Sequence, residues 1–203
     1  MLRSEHPIAN KVIEQRASEL LRRYFARFPP PILPVPVERL AEEVCELQIS
    51  WEPISADLSG IVLGALRAHR RQLVLNDHAQ RHFSEFPGSD SFTVAHEIGH
   101  WILHVREAPA DRELFEDLES SAIAVCTSGS DKPLRERQAD RFASYLLMPA
   151  DLVRTEVTRV APRDWPALYR LREGLGVSIS ALCYRLDELG ILTVTNGAID
   201  YHP

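Results

Sequence analysis

Cysteine is scarce in this chain. Three stand among 203 residues, Cys45, Cys126 and Cys183, far apart and without a CxxC pair. That argues against a disulfide framework and against a cysteine-based zinc knuckle. Long apolar runs are missing too. None approaches the roughly 20 residues that a membrane-spanning helix needs. The first residues, MLRSEHPIANKV, hold no apolar stretch of the signal-peptide kind. The expectation is a cytoplasmic protein with no membrane partner. Positive charge is in deficit as well, with a net charge of −6 and a pI near 5.8. Domains built to grip nucleic-acid phosphates are usually basic, so direct nucleic-acid binding is not expected. Internal repeats and low-complexity tracts are absent. The remainder, 45% hydrophobic and 26% charged, suits one large soluble domain with a sizeable core.

Proline is locally abundant. Pro29, Pro30, Pro31, Pro34 and Pro36 interrupt the chain after a stretch, residues 10–28, with Val12, Ile13, Ala17, Leu20, Leu21, Tyr24 and Phe25 at helical spacing. The prolines enforce extended backbone and read as a rigid connector. A helix is predicted over 37–47 and a strand near 47–51. Two more short strands, at 60–64 and 72–76, suggest a hairpin or a small sheet. Helices follow at about 91–105 and 134–148, with an irregular or partly helical stretch between them at 106–133. Another helix is expected to begin at Pro149. Helical pieces near 165–173 and 180–189, a stop at Gly190 and a final strand at ILTV complete the pattern. The fold class is α+β.

The chemistry concentrates in HEIGHWILH, residues 96–104. His96-Glu97-Ile98-Gly99-His100 is an HExxH sequence. Residues four apart on a helix share a face, one turn apart in height, so two imidazoles can converge on one Zn²⁺. Glu97 projects beside the metal, where it can accept a proton from water. Phe92, Ala95, Ile98 and Ile102 are left to form the buried stripe. His104 is tempting as a third ligand. It stands about 12 Å along the axis from His96, however, and no glycine follows His100 to fold the chain back. It reads better as a polar residue at the helix end, helped by the helix dipole.

The better third ligand lies in RERQADRFASYLLMP. Glu136 and Asp140 are four apart, and Ala139, Phe142, Ala143, Leu146 and Leu147 supply the packing stripe. Glu136 can complete a His-His-Glu site. Asp140 can accept a hydrogen bond from the outward ring nitrogen of a ligating histidine. Small Ala139 and Ala143 would let the two helices approach. Taken alone, these acids could equally form surface pairs with Arg135, Arg137 and Arg141.

Together these segments resemble the ImmA/IrrE-type metallopeptidases. The resemblance rests on Asn76, on Phe92–His100 with Leu103-His104, on Glu136–Ala143 and on Leu146–Pro149. Val177–Leu186 with Leu189-Gly190 adds to it. It spans roughly residues 37–195; the proline-rich part and the stretch between Val105 and Leu134 do not match. It implies a zincin-like peptidase of gluzincin type, with a small sheet packed on the HExxH helix, a second ligand-bearing helix and a mainly helical C-terminal part. It also implies one Zn²⁺ per chain on His96, His100 and Glu136, with Glu97 as the catalytic residue. Known members cleave helix-turn-helix repressors of the Xre/Cro type in stress-response or mobile-element switches. The chain then divides into an N-terminal helix and connector (1–36), a zinc peptidase core (37–150) and a helix-turn-helix-like segment packed on it (151–203).

In that reading Glu97 moves the proton from water to the departing nitrogen. An oxyanion donor is still required, and Tyr145, His78 and His82 are the candidates. Uncontrolled proteolysis would harm a cytoplasm, so narrow specificity is expected. Two alternatives stand beside it. VSISALCYRLDELGIL could be a DNA-recognition helix, but Asp187 and Glu188 flank its Arg185. A non-catalytic zinc site would use four protein ligands, and three are evident.

Overall fold

The computed structural model describes residues 7–55, 61–105, 120–123 and 132–202. Cys126, Thr127–Asp131 and most of the stretch expected to be irregular lie outside them.

Helix α1 (Asn10–Arg27) buries Ile13, Ala17, Leu20, Leu21 and Tyr24, one face of its 3.6-residue repeat. The prolines end it, and α2 (Val37–Glu43) follows, a turn shorter than its pattern suggested. A four-stranded sheet comes next, in the order β1-β3-β2-β4. Strand β1 (Gln48–Glu52) runs parallel to β3 (Gln72–Asn76), while β2 (Val62–Arg67) is antiparallel to both β3 and β4 (Ser120–Ile123). Strands β2 and β3 are joined through Arg71, whose φ of 51° tightens the turn. Strand β4 lies where no strand was expected.

Asn76 holds the sheet's connections together. Its side chain is buried, donates to the carbonyls of Ile54 and Val62, and accepts from the amides of Ile54 and His78. All of its hydrogen-bonding capacity is thus used inside the protein. A short helix, α3 (Gln80–Glu85), carries His82.

Helix α4 (Ser89–His100) lies across the sheet. A Cβ on Gly64 of β2 would stand 2.6 Å from Thr93 Cγ2 and 3.0 Å from the Val74 carbonyl, so only glycine lets helix and strand meet this closely. The helix begins at Ser89, two residues before the expected start at about 91, following Gly88 at φ 90°. Ser89 donates to the Phe86 carbonyl instead of capping the helix. The α-helix stops at His100 and continues as a π-helical turn, Trp101–Val105.

Helix α5 (Leu134–Leu147) packs antiparallel on α4 and buries Ala139, Phe142, Ala143, Leu146 and Leu147. Its outer side is covered by α1. Helices α6 (Ala150–Val160), α7 (Trp165–Leu175) and α8 (Ile179–Glu188) follow, then a hairpin of β5 (Leu192–Thr195) and β6 (Ala198–Tyr201). Asp164 caps α7 and Ser178 caps α8, each accepting a backbone N–H of the first turn. One apolar cluster runs from Ile13 through Ile98 and Leu146 to Leu182 and Leu192. Among the described residues no helix is long and apolar enough to cross a membrane.

Candidate metal centre

Eight consecutive residues of α4, Thr93 to His100, are buried. The helix therefore has no solvated face for its histidines, and their ring nitrogens must find partners inside the protein. They find them on α5. His96 Nε2 lies 3.2 Å from Glu136 Oε2, and His100 Nε2 lies 3.2 Å from Glu136 Oε1. The two Nε2 atoms are 3.0 Å apart. Donors bonded to one tetrahedral ion at about 2.0–2.1 Å stand roughly 3.3 Å from one another. Among the described residues this trio alone forms a group of metal-binding type, its ligand atoms all within 4.8 Å. The residues present therefore fit one small divalent ion.

What surrounds the trio aims it. His96 Nδ1 donates to Asp140 Oδ1 at 3.0 Å, which leaves Nε2 directed at the other two donors. Lys132 in turn donates to Asp140 Oδ2 at 2.6 Å. Sequence reasoning missed Lys132, which precedes α5 and so lies outside the helical spacing that revealed Glu136 and Asp140. Glu97 is fully buried beside His96. Gly99 is a second omission. A Cβ there would meet Ala139 Cα and the Ala139 carbonyl oxygen at 3.2 Å, so it sets the approach of the two helices together with the small residues of α5.

The electrostatics follow from this packing. Burial disfavours a charged His96. Its hydrogen bonds to Asp140 and Glu136, with the charge of Glu97, outweigh that and push its pKa up to about 9 without metal. Burial dominates at His100 and lowers its pKa. Burial also opposes ionisation of Glu136, but both histidines hold its carboxyl well below the usual carboxylate range. Asp140 is likewise depressed, against the cost of burial, by His96 and Lys132.

His104 stays outside the trio. Its ring centroid lies 5.4 Å from that of His100, and its Nε2 has no hydrogen-bond partner among the described residues. Burial and then His100 lower its pKa to about 4, so it is neutral and gains nothing from the helix dipole. The structure does not bring Tyr145, His78 or His82 to the three donors. Tyr145 lies nine residues, roughly 13 Å, along α5 from Glu136. Its hydroxyl donates to Glu188 at 2.6 Å, and burial followed by that bond pushes its pKa up to about 12. His78 is exposed, and His82 stacks on Phe86 with centroids 4.6 Å apart.

On α8, Arg185 is 1% exposed. It donates to the Met148 carbonyl, to Glu188 and to Glu14, and its guanidinium lies over the Tyr145 ring. The basic residue that a recognition helix would extend to phosphate is thus consumed internally.

Fold and donors define a class, an α+β domain able to hold one metal ion. Residues 38–187 match Peptidase_M78, the IrrE N-terminal-like domain, and the chain belongs to that peptidase family. No curated protein matches its sequence. Among solved structures it is similar to a Mycobacterium tuberculosis transcriptional regulator, with 14% identity and a TM-score of 0.49. The match covers 88% of this chain and 46% of the other, so this chain spans less than half of that protein.

Proposed function

We propose that the chain is a zinc-dependent endopeptidase of narrow specificity that cleaves a helix-turn-helix repressor of the Xre/Cro type in a cytoplasmic stress-response or mobile-element switch. One observation carries the reading: the convergent donor atoms of His96, His100 and Glu136, on the two helices within the family match. Membership of a peptidase family supports a protein substrate; the repressor comes from the resemblance in the sequence. Two imidazoles and one carboxylate favour zinc over magnesium or calcium, which take oxygen ligands. Three protein donors leave a fourth position free, as a catalytic site needs and a structural one does not.

Zinc held there would polarise a peptide carbonyl and make water a nucleophile near neutral pH. Glu97 takes the proton of the attacking water and delivers it to the departing amide nitrogen. Asp140 fixes the tautomer of His96, and Lys132 holds Asp140. In this division residues 37–150 form the peptidase core, 1–36 supply an N-terminal helix and a proline-rich connector, and 151–203 are a helical segment packed on the core.

The test is the zinc content of the purified chain beside a Glu136→Ala variant. About one zinc per chain, lost or weakened in the variant, is the expected result. No zinc in the wild type after adding it back overturns the reading. Unchanged zinc in the variant removes Glu136 from the ligand set.

A further inference from the structure

A cavity of about 560 Å³ opens at the start of α4, one helical turn before His96. Its lining is mostly apolar and comes from four parts of the chain: Leu63 of β2, Phe86 and Phe92 around the start of α4, Met148 after α5, and Ile179 in the first turn of α8. Phe92 belongs to both places. Its ring lines the cavity, and its centroid stands 6.2 Å from that of His96. The cavity therefore begins one ring contact away from the donor trio.

The walls are fixed in place. Gly88, opening α4, and Gly176, closing α7, both have positive φ, at 90° and 66°. They meet backbone to backbone, so that a Cβ on Gly88 would stand 2.6 Å from the Gly176 carbonyl oxygen. Pro34 closes on Gly176 from its other side. The first turn of α8 is thereby clamped opposite the HExxH helix. At the lip Phe86 is 56% exposed, a large apolar side chain left uncovered where the cavity begins. Arg172, also in the lining, has a buried Nε with no hydrogen-bond partner among the described residues. It can donate to a carbonyl of the chain that enters.

We propose that this cavity receives a large aliphatic or aromatic side chain of the polypeptide substrate, next to the scissile bond, and so sets cleavage specificity. The proposal rests on the metallopeptidase reading above. Continuity with the donor trio through Phe92 selects the occupant. A bilayer or a nucleic acid would not be read residue by residue in a half-open apolar hollow, whereas a protein side chain is. The C-terminal helical segment thereby becomes one wall of the specificity site, through Val177, Ile179 and Ser180.

Hydroxamates test this without knowing the substrate. The zinc-loaded full chain is titrated with acetohydroxamic acid, which has no side chain. It is then titrated with hydroxamates bearing a benzyl, isobutyl, methyl or carboxymethyl group, on the carbon next to the chelating group or one carbon further on. Benzyl and isobutyl forms are expected to bind about tenfold to a hundredfold tighter than the methyl form, the gain from burying such a side chain. Ser180→Trp, at an exposed lining position, should fill the cavity and collapse that ratio towards one. Acetohydroxamic acid that fails to bind the wild type overturns the metal reading, and the proposal with it. Acetohydroxamic acid that binds, with equal affinities across the side chains, overturns the cavity's role alone. So does a preference that survives Ser180→Trp.

Discussion

Gly99 of α4 and Ala139 of α5 touch so closely that a single added methyl group would stand 3.2 Å from the backbone of Ala139. The contact lies between His100 on one helix and Glu136 and Asp140 on the other, and backbone cannot swing aside as a side chain can. Gly99→Ala gains about 1 kcal/mol of helix propensity and loses about 1–3 kcal/mol to overpacking. Stability should change little. Zinc affinity, measured by competition with a chelator, should fall about tenfold or more as α5 is pushed away. Unchanged affinity would mean that α5 shifts without disturbing Glu136.

Asp140→Asn should lower zinc affinity about 10- to 100-fold while the fold is retained, because His96 loses a charged acceptor and the amide can present its NH₂ to Nδ1, favouring the other tautomer. Circular dichroism and a zinc titration separate the two effects. An affinity equal to wild type would leave Asp140 as a partner of Lys132 alone.

Metal uptake should release protons in a number fixed by the site. At pH 7 His96, with a pKa of about 9 in the metal-free protein, carries a proton that a ligand cannot keep. His100, shifted down, is already neutral, and Glu136, also shifted down, is already ionised. About one proton per zinc should appear when calorimetric titrations in buffers of different ionisation enthalpy are compared. Zinc affinity should rise about tenfold per pH unit below 9 and level off above it. A count approaching two would show that the bound water ionises as well or that His100 is charged, and repeating the titration at pH 6 separates the two, because the water then stays protonated.

Glu97→Gln keeps a side chain of the same size and removes the base. Zinc content should match the wild type, and product formation on the cellular substrate should drop about 100-fold or more. Cleavage at the wild-type rate would remove Glu97 from the mechanism. Casein should remain nearly intact with either protein, and its rapid degradation would contradict narrow specificity.

Arg185→Ala should lower stability by about 3 kcal/mol in a denaturant titration, near the lower end of the range for breaking a buried ion pair, since Glu14 and Glu188 can rehydrate. Arg185→Lys should recover little of that, because one ammonium cannot serve Met148, Glu14 and Glu188 together. Full stability in the lysine variant would mean that the planar geometry is dispensable.

Much of this arrangement was legible in the residues. The i, i+4 spacing of His96 with His100, and of Glu136 with Asp140, carries its own geometry, and both pairs meet as a helix repeat requires. Helix α1 declared itself through its apolar stripe. Contacts distant in sequence carried no such signal. Strand β4 is four residues long and is specified by its neighbour β2, not by its own pattern. Asn76 looked like a family signature, and its function as the sheet's four-way hydrogen-bonding link depends on Ile54 and Val62, which no periodicity connects to it. Tyr145 reads as a catalytic candidate until Glu188 and Arg185 are seen to hold it.

Helix α1 lies outside the family match, which begins at residue 38, yet it covers the outer side of the helix that carries Glu136 and Asp140. Trimming the protein to the matched region would therefore remove the helix packed on α5 and uncover the apolar face of α5 that it contacts. A segment outside the family match thus packs on the helix that carries the third donor. A protease or an engineer that removes it would disarm the site without touching a single donor atom.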